Sequence, residues 1–269
     1  MYALDFEYDN RYLSDYGFIV CDFNGSNGVV TSSAGAKISF DKVSVGRGEK
    51  HSFIGSKYDE CISATFDICK DPDKYVSSEL PVSEEEERDL LRWLNRNDFH
   101  RFQVLKDKGD PCFFNASFNL ERIKIREIVY GFRLTMETDA PFGYGEEKKK
   151  HFLFEIGSLS KMFYDISDVV GFIRPDLKIK LAKSGNFEIS NNQYNEKTII
   201  KNCVAGETII FHGFAEIIES DVESHDISND FNYTFFKIGN TLENRNNVIT
   251  VSLPCEIELK YAPIVKLTV

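Results

Sequence analysis

The residues of this chain that could do chemistry are few, and their spacing does not assemble them. Gly46 and Gly48 in SVGRGEKHSF form a bare GxG, but no helix follows whose N-terminus would hold a phosphate, so the stretch reads as a turn or loop. The five histidines, His51, His100, His151, His212 and His225, fall at no metal-ligand spacing. Asp226, Ser228 and Asp230 in HDISNDFN imitate the start of a calcium loop. However, Phe231 stands where the loop needs glycine, and Lys237 stands where a closing glutamate should coordinate. Glu84, Glu85, Glu86 and Glu87 offer carboxylates for acid–base work, yet their place in the first turn of a helix explains them by dipole stabilisation. None of GxSxG, HExxH or GxxxxGK[ST] occurs. The residues therefore point to a protein that is not an enzyme, with no metal and no cofactor.

Aromatic residues are the remaining candidates. Tyr194, Phe211, Phe214, Tyr233, Phe235 and Phe236 would suit a platform for stacking sugars, although aromatic residues at strand spacing more often fill a core. Trp93, beside Leu90 and Leu94 at helical spacing, reads as core rather than as a ligand-stacking residue.

The elements that would position these residues are mostly strands. Tyr130, Phe132, Leu134 and Met136 alternate with Gly131, Arg133 and Thr135, the period of a half-buried strand. Upstream, Ile123 and Ile125 alternate with the opposite parity, which predicts a bulge or turn near Arg126 and Glu127. Leu177, Ile179 and Leu181 alternate with lysines, and Cys255, Ile257, Leu259 and Tyr261 alternate with Glu256, Glu258 and Lys260. The polar run from Asn244 to Asn247 reads as a turn. One helix is expected, over about 84–96. Ser83 and Glu86 make a capping box, and Leu90, Leu91, Trp93 and Leu94 form an apolar stripe.

Composition bounds the class. The chain has 269 residues, 42% hydrophobic and 28% charged, with 23 Phe and 12 Tyr, enough apolar surface for real cores. A formal net charge of -11 is the wrong sign for gripping nucleic-acid phosphates or anionic membranes. The opening MYALDFEYDN lacks the pattern of a secretory signal, and no apolar run approaches the roughly 20 residues of a membrane helix. The six cysteines are scattered and none sits in a CxxC pair. Cys61 and Cys69 would stand roughly 26 Å apart along one strand, so all six are expected as free thiols from a reducing cytoplasm. In FRLTMETDAPFGYGEEKKKHF, a strand runs into a Pro-Phe-Gly break and then a charged run. That places a joint near Gly145, between a domain over 1–145 and another over 146–269.

The order of these segments resembles that of phage distal tail proteins, the Dit family of siphophage tail tips and related prophage elements. The matching pieces are VSVGRGEKHSFIGSKYDECISATFDI, the helix EEEERDLLRWLN, DFHRFQVL, the strand VYGFRLTMETDAPFGYG and the C-terminal HDISNDFNYTFFKIGNTLENRNNVITVSLPCEIELKY. The resemblance implies a mainly β protein of two β-sandwich domains. The first carries the helix and assembles into a hexameric ring; the second is galectin-like or like a carbohydrate-binding module. It implies a tail-tip hub joining the tail tube protein to the hub or lysin-like protein of the tip, anchoring receptor-binding protein, with DNA only passing through the channel. A hairpin at about 43–58 would reach the neighbouring subunit, which makes Arg47, His51, Phe53 and Tyr58 the expected interface residues. The alternative is a module recognising a bacterial cell-wall glycan.

Overall fold

The computed structural model describes residues 5–23, 36–44, 51–105, 111–168, 171–241 and 243–266. The chain divides into two compact units, Met1–Gly145 with Val265–Val269, and Glu146–Ile264.

The first unit is built on one antiparallel sheet. Its main path runs Arg11–Tyr12, Phe6–Tyr8, His100–Val104, Cys112–Ile125, Ile128–Thr138, Ser63–Lys70 and Phe18–Cys21. Phe6 and Phe66 lie four strand spacings apart on that path, about 19 Å in a flat sheet. Their ring centroids are only 5.7 Å apart. The sheet therefore curls over until its two ends face each other, and Phe6, Phe66, Phe102 and Phe118 meet in the enclosed core.

The long hairpin Cys112–Ile125/Ile128–Thr138 turns through Arg126 and Glu127, both with positive φ, as a two-residue hairpin turn requires. The register slips between Ile123 and Lys124. Both features account for the change of parity in the sequence. On the same hairpin, Gly131 is required by close approach. A Cβ there would stand 2.2 Å from the Ile68 carbonyl oxygen and 2.9 Å from the Phe23 ring.

The helix spans Glu84–Leu94. Ser83 Oγ accepts from the Glu86 N–H at 3.3 Å, and the Glu86 carboxylate accepts from the Ser83 N–H at 2.8 Å. Lys70, buried beneath the first turn, pairs with Glu86 at 2.7 Å and donates to the Glu79 and Pro81 carbonyls. Burial opposes the Glu86 carboxylate, but Lys70 and the Ser83 cap outweigh it and hold its pKa below the usual value. The helix ends two residues earlier than the sequence predicts. Asn95 Nδ2 donates to the Phe118 carbonyl and the Arg96 carbonyl accepts from Ser117 Oγ, so both residues are drawn onto the adjacent strand. Trp93 is buried, stacked on Tyr16 at 4.5 Å, with its indole N–H on the Tyr8 carbonyl.

The second unit is a β-sandwich. One sheet has the order Lys148–Phe154, Cys255–Tyr261, Asp176–Leu181, Thr208–His212, Ile217–Ser220; the other runs Ser160–Tyr164, Asn246–Val251, Gly185–Asn191, Lys197–Cys203. Leu177, Ile179 and Ile257 of the first share a core with Phe187, Ile189, Ile200 and Ile249 of the second. On the outer face, Asp176, Lys178 and Lys180 lie opposite Lys260, Glu258 and Glu256. This ladder of opposite charges fixes register at a solvated surface.

The polar run expected as a turn divides in two. Thr241 and Asn244 close the turn, whereas Asn247 lies inside a strand and is fully buried. Its amide accepts from the Gly239 N–H and Asn191 Nδ2 and donates to the Gly239 carbonyl. A buried amide saturated in this way carries no sequence signal that separates it from a turn residue.

Candidate functional site

Between the strands Phe18–Cys21 and Ser63–Lys70, the first unit carries a separate two-stranded sheet, Ile38–Ser44 paired with His51–Tyr58. At its root the Asp59 N–H donates to the Lys37 carbonyl at 2.9 Å, and Lys37 Nζ lies 3.5 Å from the Asp59 carboxylate. The hairpin starts five residues earlier than the expected 43–58, because Ile38 and Phe40 already pair across it with Tyr58 and Ser56.

The pairing decides which side chains share a face. A bulge between Asp41 and Lys42 keeps Phe53 in step with Lys42, and His51 with Ser44. One face therefore presents Ile38, Phe40, Phe53, Tyr58 and His51, with the Phe40 and Phe53 rings 6.3 Å apart and Lys42 Nζ 5.6 Å from the Phe40 ring. Phe40 is 55% exposed, Phe53 63% and Ile54 66%. Lys42, Ser44 and Ser56 share this face; an isolated two-stranded hairpin is marginally stable in water, and exposed apolar side chains grouped on one face are characteristic of interaction surfaces. Of the four residues expected at an interface, His51 and Phe53 are exposed and Tyr58 is half-buried, all on this face. Arg47 lies outside the described residues. Ile38, Phe40 and Ile54 were not singled out by the sequence, although the alternation of Ile38 and Phe40 was there to be read.

The other candidates separate from one another. Phe211 and Phe236 are buried, and Phe235 packs against the core of the second unit. Phe214, 93% exposed, sits on the turn at 213–216, while Tyr233 follows the single helical turn Ile227–Asp230 and donates to the Ser228 carbonyl. Tyr194 donates to the Gly171 carbonyl, and burial raises its pKa. The calcium-loop imitation is spent on local structure. Asp226 caps that helical turn, and Asp230 accepts from Asn202. Among the described residues no cluster of three or more His, Cys, Asp or Glu could hold a metal, and no helix is long and apolar enough to cross a membrane.

One buried pair escaped the sequence entirely. His225 Nδ1 and Glu207 Oε1 lie 2.5 Å apart, both buried, with Ser220 Oγ also donating to Glu207. Burial opposes a charged imidazole, but the hydrogen bond and charge of Glu207 prevail and raise the His225 pKa. The two residues stand eighteen positions apart in sequence, and only the approach of the 220–227 segment to the strand Thr208–His212 joins them.

Among the described residues, the apolar side chains exposed on one face of this hairpin are the candidate interaction surface. Residues 1–140 match the phage tail protein N-terminal domain and residues 142–261 match the phage tail C-terminal domain. Among solved structures, the Dit protein of phage SPP1 superposes with a TM-score of 0.67 at 12% identity, over 96% of this chain and 98% of that one. That protein is described as a paradigm of the hub adsorption apparatus in phages infecting Gram-positive bacteria. No curated protein sequence matches the chain. The chain belongs to this family of phage tail proteins, and its fold is that of Dit.

Proposed function

We propose that the protein is the distal tail hub of a phage. In this reading it is a structural ring component that joins the tail tube protein to the tail-tip hub or lysin-like protein and offers a seat for receptor-binding protein. The observation that carries this reading is the hairpin Ile38–Ser44/His51–Tyr58, on one face of which Ile38, Phe40 and Phe53 are exposed. A ring needs heterologous contacts, one patch on each subunit meeting a different patch on the next. An arm projecting from a rigid sheet supplies one of the two, and strand addition at an open edge is one way to receive it. Family membership and the Dit fold support the same reading, and a ring of six is what the Dit resemblance implies. The net charge of -11 suits a channel that lets DNA pass without binding it. The 1–145 domain would form the ring and the 146–269 domain, galectin-like in the same resemblance, would face outward in the virion.

The test is the mass of the purified protein in solution at high concentration, with negative-stain electron microscopy alongside. Rings with a central hole are expected. A protein that stays monomeric both alone and with its tail tube protein would overturn the reading.

A further inference from the structure

Lys197–Cys203 is an end strand of its sheet, and an open strand edge invites pairing with another chain. Here the free side is covered by the segment that follows Ile217–Ser220. Phe231 bridges to Ile200, and the Asn232 N–H donates to the Ile199 carbonyl. Asn202 Nδ2 donates to both carboxylate oxygens of Asp230, at 2.9 and 3.0 Å. At the segment's other end, Asp221 Oδ1 accepts from the Thr208 N–H and the Asp221 N–H donates to the Thr208 carbonyl. Between these anchors, residues 222–230 pack the half-buried Ile227 against the core, and their inward polar group is His225.

The two nitrogens of that buried ring face carboxylates on opposite sides. Nδ1 lies 2.5 Å from Glu207 Oε1, and Nε2 lies 3.4 Å from Asp230 Oδ2. Glu207 also accepts from Ser220 Oγ at 2.6 Å and from the Val204 N–H at 2.9 Å. Only the doubly protonated ring can donate toward both carboxylates; a neutral ring keeps one donor and turns a lone pair toward the other acceptor.

We propose that the His225–Glu207 pair is a proton-operated latch, which holds residues 222–230 against the end strand Lys197–Cys203 while the imidazole carries its proton and lets that segment open locally when the proton leaves. Burial opposes the charged ring, but Glu207, the Lys201 carbonyl and Asp230 together raise its pKa. The latch is therefore fully closed below the usual imidazole value near 6.5 and is lost as pH rises through the raised one. The neighbouring charged groups are engaged elsewhere. Asp226 accepts from Asn229, Asp221 from Thr208, and Glu219 faces His212. The Lys201 side chain is exposed. Burial, then Glu207 and Asp230, push the Cys203 thiol up to about 11, so it stays protonated while His225 titrates.

Amide hydrogen exchange of the full-length protein, read by mass spectrometry from pH 6 to pH 8.5 and divided by the unfolded-chain rate, tests the latch. Protection of 222–230 should fall about tenfold per pH unit between the usual and the raised imidazole values, then level off. It should be indifferent to low urea, because a local opening exposes little surface, whereas amides of Asn246–Val251 should respond to urea. In His225→Gln the segment's protection should be flat across the range. In Asp230→Asn, which can donate to a neutral ring, the levelling-off should come at lower pH. Protection that does not change with pH in the parent, or a slope that persists in His225→Gln, would overturn the proposal. So would a urea response in 222–230 as steep as that of Asn246–Val251, since the segment would then open only with the whole sandwich.

Discussion

Replacing Phe53 by alanine isolates the apolar face of the hairpin. Phe53 is 63% exposed, and a phenylalanine presents roughly 200 Å², so about 125 Å² is left for a neighbour to cover. At about 25 cal/mol per Å² this is worth about 3 kcal/mol at each subunit boundary, or roughly a hundredfold in the association constant. Because the side chain has little cover in its own unit, the isolated subunit should lose less than about 0.5 kcal/mol. Sedimentation across a concentration series reads the first quantity, and thermal unfolding at a concentration where subunits are separate reads the second. Ser52→Ala, on the opposite face beside Val43, should leave both unchanged. Assembly of Phe53→Ala at the parent's concentration would refute the placement of this face in a boundary. A large fall in monomer Tm would show that Phe53 packs within its own subunit.

Three further outcomes follow from the interior. Gly131→Ala drives a Cβ against the Ile68 carbonyl at 2.2 Å and should cost the first unit about 3 kcal/mol in urea unfolding, since a neighbouring backbone cannot give way cheaply. Asn247→Leu strands the Gly239 N–H and carbonyl together with Asn191 and should destabilise the second unit by about 3 kcal/mol in the same assay. The pKa of His225 is raised by Glu207 with Asp230 nearby, so its contribution is complete below the usual imidazole value and is lost as pH rises through the raised one. Tm of the second unit should therefore decline from pH 6 toward pH 9, and His225→Gln should remove that slope.

What the sequence disclosed was whatever is encoded between near neighbours. The Ser83–Glu86 cap and the Leu90–Trp93–Leu94 stripe defined the helix because both act within two turns. The parity change at Arg126 and Glu127 marked a turn because side chains alternate strictly along a strand. The helix end was misjudged by two residues because Asn95 and Arg96 answer to Phe118 and Ser117, partners more than twenty positions away. Asn247 looked like a turn residue because polarity alone does not separate a solvated amide from a saturated buried one. The pair Glu207–His225 was illegible for a third reason: it depends on which segments become neighbours, and alternation specifies faces without specifying strand order. The hairpin lay between these cases. Its alternation was local, but the exposure of Phe40 and Phe53 appears only in the folded unit.

The same hairpin fixes how assembly should respond to salt. The chain has a formal charge of -11, so in the proposed ring copies approaching one another would repel over a screening length that shrinks from about 30 Å at 0.01 M salt to about 10 Å at 0.1 M. The attraction assigned to Ile38, Phe40 and Phe53 is apolar and does not weaken with screening. Raising salt from 0.01 to 0.15 M should therefore tighten association, visible as a larger assembled fraction by sedimentation at fixed protein concentration. A boundary held mainly by ion pairs would behave in the opposite way, because screening would remove its attraction along with the repulsion. Dissociation on adding salt would thus refute the apolar assignment even if rings were seen. Tightening that disappears in Phe53→Ala would tie the attraction to this one face.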